Sequence, residues 1–226
     1  EITAFDVERF SASLGAEIVD FDVRKYLKSE KTYLDRGSEL AFAAAQLALD
    51  DAGLNPGMIP GGETALLMGT AYGNLASLGA FFDDFLKKGP RLVKPILFPH
   101  TYSNTTISLL AIEYGFSGYH VNFSSGCVSS SCAIAAACDL IRQGRAKIVL
   151  AGGFETLNEI LYAGLSRAGR LVPKGGPSEG YAPFDRERRG FVPAEGAGLL
   201  VIEERESARA RGARIRGEII GAGLTG

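Results

Sequence analysis

Cys127 is the residue in this sequence whose type and position most directly suggest chemistry. It lies in Val-Asn-Phe-Ser-Ser-Gly-Cys-Val-Ser, residues 121–129. The pattern predicts a short strand over residues 119–124 and a helix over Ser129–Arg142, with the thiol at the turn between them. Unpaired backbone N–H groups and the positive end of the helix dipole favour an anionic sulfur at such a place. A thiolate is the attacking group in covalent acyl transfer.

The other cysteines have a different expected role. Free cysteines are more often small buried hydrophobic residues than nucleophiles, and we expect that role for Cys132 and Cys138, which fall inside the predicted helix. For Cys127 the local pattern alone leaves catalysis and simple packing both open. The cysteines and the two histidines, His100 and His120, lack the spacing of metal ligands, so no metal site is predicted.

The small-x-nucleophile-x-small pattern of residues 125–129 is similar to the strand-to-helix elbow of α/β-hydrolases. Those enzymes place an acid and then a histidine after the nucleophile, but no histidine follows Cys127 here. His100 and His120 precede it, and each is expected to be structural rather than a base. A hydrolase triad in that chain order is therefore excluded.

The small side chains that follow Cys127 predict how it is positioned. The helix over Ser129–Arg142 is apolar almost all round, which is typical of a helix buried on all sides. A rigid central helix of this kind would hold the nucleophile at its end. A second helix, Leu75–Lys88, is expected to turn Leu78, Phe81, Phe82 and Phe85 inward.

Short apolar strands alternate with helices along the whole chain, which predicts an α/β fold whose sheet is covered on both faces. The other expected strands are 64–69, 147–151, 198–203 and 214–222. The other expected helices are 31–53, 103–114, 160–168 and 204–211. A surface loop is expected over residues 173–183.

Composition limits the classes of function. The chain has 226 residues, is 46% hydrophobic and 22% charged, and has a net charge of −2, which predicts one compact domain or two small ones with an ample core. The near-neutral charge gives no reason to expect a nucleic-acid partner. No apolar run is long enough for a membrane-spanning helix. An odd number of cysteines without a CxxC motif fits a reduced, cytoplasmic setting.

Several motifs, in order along the chain, resemble the N-terminal half of the β-ketoacyl-acyl carrier protein synthases, the KAS II-like condensing enzymes of thiolase-like fold. The matching segments are Phe5-Asp6, Phe21-Asp22, Asp35-Arg36, Pro99 with Asn104, Ser125-Gly126-Cys127, Ala151-Gly152-Gly153-x-Glu155, and residues 183–198. The last of these, from Pro183-Phe184-Asp185 to Gly196-Ala197-Gly198, is the most specific.

The resemblance implies a layered αβα arrangement that is the N-terminal half of a duplicated fold. Residues 1–226 would form an N-terminal β-ketoacyl synthase domain, incomplete because the C-terminal half is absent. That half supplies two histidines, a lysine and an oxyanion-binding N–H in such synthases. The chain alone is therefore expected to be inactive.

The resemblance also implies a reaction and partners. Cys127 would accept an acyl group, and a decarboxylative Claisen condensation with malonyl-acyl carrier protein would give the 3-oxoacyl product in fatty-acid or polyketide synthesis. No cofactor is implied, since the substrates are carried on the phosphopantetheine of the carrier protein. A homodimer joined through the strand at 119–124 is expected. The alternatives are a non-catalytic partner or dimerisation subunit and a cysteine hydrolase.

By position in the matched motifs, Tyr72, Phe98 and Leu165 resemble residues that line the acyl tunnel, and plain core packing is the alternative for each. The ring of Tyr72 would then favour a short or unusually shaped primer. Arginines concentrate late in the chain and either dock an acidic carrier protein or form local ion pairs with Glu203, Glu204 and Glu206. They are Arg186, Arg188, Arg189, Arg205, Arg209, Arg211, Arg214 and Arg216.

Overall fold

A computed structural model describes residues 2–175 and 182–225. Over these residues the strands are β1 (Thr64–Gly69), β2 (His120–Phe123), β3 (Ile148–Glu155) and β4 (Gly196–Glu203). The helices are α1 (Arg36–Asp51), α2 (Leu75–Lys88), α3 (Thr105–Tyr114), α4 (Ser129–Arg142), α5 (Glu159–Arg167) and α6 (Arg205–Ala210). The sheet order is β2-β1-β3-β4. Strands β1, β2 and β3 are parallel, and β4 runs antiparallel to β3.

Alternation along the central strands divides the core into two apolar layers. On one face of the sheet, Leu66 and Met68 of β1 pack with buried residues of α1 and α3. On the other face, Ala65 and Leu67 pack with α4. The predicted αβα layering is therefore confirmed, with helices on both faces of the sheet.

Helix α1 is shorter than the predicted segment 31–53. Asp35 has an extended backbone, and its carboxylate accepts a hydrogen bond from the backbone N–H of Ser38 at 3.0 Å and from the Ser38 hydroxyl at 2.7 Å. This N-cap starts the helix at Arg36. Residues 31–35 therefore lie outside the helix that the alanine and leucine pattern suggested.

The last predicted strand, residues 214–222, is wrong: this segment has no regular secondary structure. A strand exists only where its backbone pairs with a neighbour, so apolar alternation cannot establish one without a partner. Ile220 is 92% exposed, and Arg216 is instead bound to Asp51 at the end of α1.

Two predictions of helix burial were also too broad. Helix α4 buries Ala133, Ala137 and Leu140 against the sheet, but Asp139 is exposed and Ile134 is only half-buried, because the sheet covers one side of the helix. In α2, Leu78 and Phe81 are half-buried, whereas Phe82 and Phe85 are exposed rather than inward.

Most element assignments are confirmed. Strand β1 and helices α2 and α4 have the predicted bounds, and the remaining helices and strands begin and end within a few residues of prediction, except that β3 continues through Gly152-Gly153 to Glu155. Of the predicted loop at 173–183, residues 176–181 lie outside the described part, and the rest has no helix or strand.

No helix among the described residues is long and apolar enough to cross a membrane.

A nearly buried carboxylate attaches the segment before α1 to helix α3. The Glu113 side chain is 2% exposed and accepts from Lys31 Nζ at 2.5 Å, from the Ser29 hydroxyl at 2.7 Å and from the Lys28 N–H at 2.6 Å. Burial works against ionisation, but these donors outweigh it and lower the pKa of Glu113 to about 2.

We predict that Glu113→Gln lowers the free energy of unfolding at pH 7 by about 2 kcal/mol, because a depressed carboxyl pKa contributes stability above its unfolded-state value. That contribution is lost as the pH falls from about 4.5 through about 2, so the variant and the wild type should converge there. Urea unfolding at stepped pH measures the difference. Asp83→Asn, at an exposed i,i+4 pair with Lys87, is the control and should change stability by less than about 0.5 kcal/mol. A difference in unfolding free energy between the variant and the wild type that does not narrow at acid pH contradicts the prediction.

Candidate active site

Cys127 lies in a single 3₁₀ turn, Gly126–Val128, that joins β2 to α4. Its side chain is exposed, and Gly126 before it has a φ of +63°, a conformation that favours glycine. The Ser129 hydroxyl fixes the turn, because it accepts from the Ser125 N–H at 2.8 Å and donates to the Gly126 carbonyl at 2.6 Å. The thiol is therefore presented by a hydrogen-bonded turn at the start of a long helix.

Two facing glycines allow the first turn of α4 to approach the sheet. Gly69 of β1 and Gly153 of β3 are paired neighbours at the carboxyl ends of their strands. A Cβ atom on Gly69 would lie 2.2 Å from the backbone carbon of Ser129, and one on Gly153 would lie 2.2 Å from the Ser130 Oγ. Both positions therefore require glycine while α4 keeps this place.

The carboxyl ends of the three parallel strands meet at one edge of the sheet, where α/β proteins commonly bind ligands. Residues from all three ends line a cavity of about 670 Å³ there: Cys127 follows β2, residues 70–72 follow β1, and Glu155 ends β3. The segment 191–198 and helix α5 complete the wall. This size is typical of small-molecule sites.

Of the residues proposed to bind the acyl group, Tyr72 and Leu165 line the cavity together with Cys127. Leu165 also packs against the apolar cluster around Tyr162. Phe98 is not among the lining residues; its ring packs against Phe81 at 5.7 Å and Tyr102 at 5.4 Å between centroids. The structure thus brings two of the three together at the thiol.

Neither histidine lines the Cys127 cavity. His100 is buried, with Nδ1 3.3 Å from the Asp35 carboxylate and its ring edge-on to Tyr33. His120 places Nε2 3.2 Å from the Phe116 carbonyl oxygen. These contacts fit the structural roles expected for both. Cys138 is buried as predicted, whereas Cys132 is half-buried.

Several of the late arginines form local ion pairs. Arg211 binds Glu203 at 2.8 Å, and Arg205 and Arg209 both bind Glu206, at 3.3 and 3.0 Å. Local pairing, the alternative to carrier docking, therefore describes these three side chains. Within residues 2–175 and 182–225, no ion pair is formed by Arg186, Arg188, Arg189 or Arg214.

The cavity wall contains a half-buried carboxylate, that of Glu155. Glu155 Oε2 accepts from the backbone N–H groups of Ala71 at 2.9 Å and Tyr72 at 3.3 Å. The Thr70 hydroxyl lies 3.4 Å from both carboxylate oxygens. Burial raises the pKa of Glu155 above its usual range, against the opposing effect of these hydrogen bonds.

Comparison with known proteins identifies the family to which this fold belongs. Residues 8–208 match the family model described as "Beta-ketoacyl synthase, N-terminal domain". The chain belongs to the β-ketoacyl synthase family. It is 36% identical to a 3-oxoacyl-[acyl-carrier-protein] synthase 2 of Synechocystis sp. over 99% of its own length and 55% of that relative. The synthase chain thus spans about half the length of the curated relatives it matches.

Comparison with solved structures supports the same family assignment. The ishigamide ketosynthase/chain length factor superposes with a TM-score of 0.88 at 30% identity, covering 97% of this synthase chain and 54% of that one. A type II polyketide ketosynthase in complex with its acyl carrier protein, AntDE:AntF, has a TM-score of 0.76 at 30% identity, covering 94% and 53%. The N-terminal half of the thiolase-like ketosynthase fold is thereby confirmed.

Several residues around the cavity were not predicted from the sequence. Ser129 fixes the Cys127 turn, Glu155 holds the loop after β1, and Arg170 lines the cavity. A serine at the first position of α4 and a glutamate ending a glycine-rich strand were visible signals, but neither pattern specifies a partner. Arg170 follows α5 and had no local signal.

We predict that Gly153→Ala moves the first turn of α4 and destabilises the synthase chain by about 2 kcal/mol, because the new methyl group overlaps Ser130 and the Gly69 backbone. Urea unfolding measures the loss. The reaction rate of Cys127 with a small thiol reagent should change as well.

Gly164→Ala is the matched control, because nothing lies within 4 Å of a Cβ placed there and the position is inside α5. Alanine should be neutral or stabilising by about 0.5–1 kcal/mol in this helix. Equal stability of the Gly153→Ala protein and the wild type would show that the close approach is not required.

Proposed function

We propose that this chain carries the nucleophile of a β-ketoacyl-acyl carrier protein synthase, which condenses an acyl group held on Cys127 with malonyl-carrier protein. The observation that carries the proposal is the exposed Cys127 at the start of α4, opening into a cavity at the carboxyl ends of three parallel strands. Family membership supports it. The proposal covers fatty-acid and polyketide synthesis alike.

In the first stage, the Cys127 thiolate attacks the carbonyl carbon of the acyl thioester. A bond forms between Sγ and that carbon, the bond to the carrier sulfur breaks, and the phosphopantetheine thiolate leaves and takes up a proton. Charge on the carbonyl oxygen needs fixed donors, and we assign one of them to the backbone N–H of Cys127.

In the second stage, malonyl-carrier loses carbon dioxide, and the electrons of the broken bond form an enolate. The enolate carbon attacks the acyl carbonyl carbon, and Cys127 Sγ leaves as thiolate. The product is the 3-oxoacyl-carrier thioester, two carbons longer. By family resemblance, the histidines and lysine that stabilise the enolate come from a C-terminal half, and no bound cofactor is needed.

The apolar cavity wall accommodates the acyl chain in this proposal. Tyr72 and Leu165 line the cavity. In the proposal, the Tyr72 ring occupies volume that a smaller side chain would leave open. A short or unusually shaped acyl group is therefore the proposed primer. Phe98, which packs away from the cavity, has no contact that supports the role first expected for it.

Partners and setting belong to the same proposal. The similar ketosynthase in complex with an acyl carrier protein supports a carrier partner, for which Arg186 and Arg189 are exposed cations. Strand β2, at one end of the sheet order, is the proposed homodimer edge. The three free cysteines support a reducing, cytoplasmic setting.

Cys127 is the first test. Treating the full-length protein with cerulenin, a thiol-directed acyl mimic, should add one adduct that peptide mapping places on Cys127, because this sulfur is exposed in the cavity. Cys127→Ala should abolish acylation, whereas Cys132→Ala should retain it. Labelling at Cys132 or at no cysteine would instead favour the non-catalytic partner subunit.

The second test concerns Tyr72. Tyr72→Gly should extend the preferred acyl length, because removing the ring enlarges the cavity beside Cys127. Rates of acyl transfer from carrier-bound chains of increasing length measure the preference. Tyr102→Ala, which removes an exposed ring outside the cavity lining, is the control and should leave it unchanged. An unaltered preference in Tyr72→Gly would refute the tunnel assignment.

A further inference from the structure

Glu155 is a half-buried acid in the cavity wall that the condensation mechanism does not use. It ends β3, beside the carboxyl end of β1, because Gly153 pairs in register with Gly69. The parallel pairing therefore places its carboxylate directly against residues 70–73, the loop that leaves β1. That loop contains Tyr72, a residue that lines the cavity and is 49% exposed.

The carboxylate organises most of the polar groups of this loop. It accepts the Ala71 and Tyr72 N–H groups, and the Thr70 hydroxyl completes the set. Thr70 Oγ1 in turn accepts the N–H of Gly73 at 2.9 Å. Glu155 thus binds the backbone before Tyr72, and Thr70, which is 2% exposed, binds the backbone after it.

The carboxylate and the loop depend on each other. Across residues 2–175 and 182–225, Glu155 forms no ion pair, so hydrogen bonds from backbone and hydroxyl groups are its compensation for burial. A buried carboxylate without such donors is strongly disfavoured. Bonds to a charged acceptor are also about twice as strong as neutral ones. The hydrogen bonds between the Glu155 carboxylate and residues 70–72 therefore restrain the loop more firmly than contacts of the exposed Tyr72 side chain could.

We propose that Glu155 is the positioning residue that holds the loop 70–73 so that Tyr72 limits the acyl chain accepted on Cys127. The inference rests on the proposed function and deepens it, because it assigns chain-length selection to an acid that does not touch the reacting atoms. Shortening or removing the carboxylate frees the loop, the ring moves aside, and longer acyl chains enter.

The test uses acyl loading in the full-length protein, followed by intact-protein mass measurement with short and long acyl groups on carrier protein. Glu155→Ala and Glu155→Asp should raise the ratio of long-chain to short-chain loading rates by about tenfold or more, the scale of one lost hydrogen bond to a charged group. Glu155→Gln keeps an oxygen acceptor for the two N–H groups and should stay within about twofold of the wild type.

Glu63→Ala is the matched control. Glu63 precedes β1 at the opposite edge of the sheet and pairs with Lys147, which precedes β3, at 2.8 Å. Its loss should leave the chain-length ratio unchanged. Hydrogen exchange of the peptide covering residues 69–74 should speed up in Glu155→Asp but not in Glu63→Ala, which keeps the test informative if Glu155→Ala fails to fold.

The outcomes separate the two proposals. If the wild type does not acquire an acyl group on Cys127, the proposed function fails. If the wild type loads but Glu155→Asp keeps both the native chain-length ratio and native exchange in the loop, the positioning role of Glu155 is overturned. A uniform loss of loading for all chain lengths, without a change in ratio, also overturns it and leaves Glu155 as a stabilising residue.

Discussion

The close approach of the α4 N-terminus to the strand ends is the constraint on which the rest of this structure depends. Gly69 and Gly153 lie side by side. A methyl group at either position would overlap backbone or side-chain atoms of the neighbouring residues. Because the helix rests directly on the sheet backbone, Cys127 is held where the three parallel strands end. Two hydrogen atoms in place of two side chains therefore decide where the Cys127 thiol lies.

The same edge of the sheet requires polar groups to be satisfied inside the protein. At the strand ends, backbone N–H and carbonyl groups have no hydrogen-bond partner on a neighbouring strand, and side chains supply the missing partners. Ser129 does so for the Cys127 turn, and Glu155 does so for the loop after β1. These contacts convert loops into fixed walls, so the cavity has a defined shape beside the thiol. Fixed walls of this kind are what a binding site needs to discriminate among ligands.

Local sequence pattern predicted the elements whose stability is local or whose burial is complete. Strand β1, buried at every residue, and helix α2 have the expected bounds. The pattern failed where a partner decides the outcome. Residues 214–222 were predicted as a strand but have no paired neighbour among the described residues, and Phe82 and Phe85 follow an apolar helix face that the sheet does not cover. Periodicity reports a preference, whereas burial depends on what lies opposite.

By itself, the sequence determined the α/β alternation, the place of Cys127 between strand and helix, and, through its motifs, the family. These are properties of contiguous residues. Only the tertiary structure decided that Tyr72 and Leu165 share the Cys127 cavity while Phe98 does not, and that Glu155 binds the loop carrying Tyr72. The physical reason is that Glu155 meets the loop through the parallel register of β1 and β3, and Leu165 reaches the cavity through the placement of α5, neither of which separation along the chain encodes.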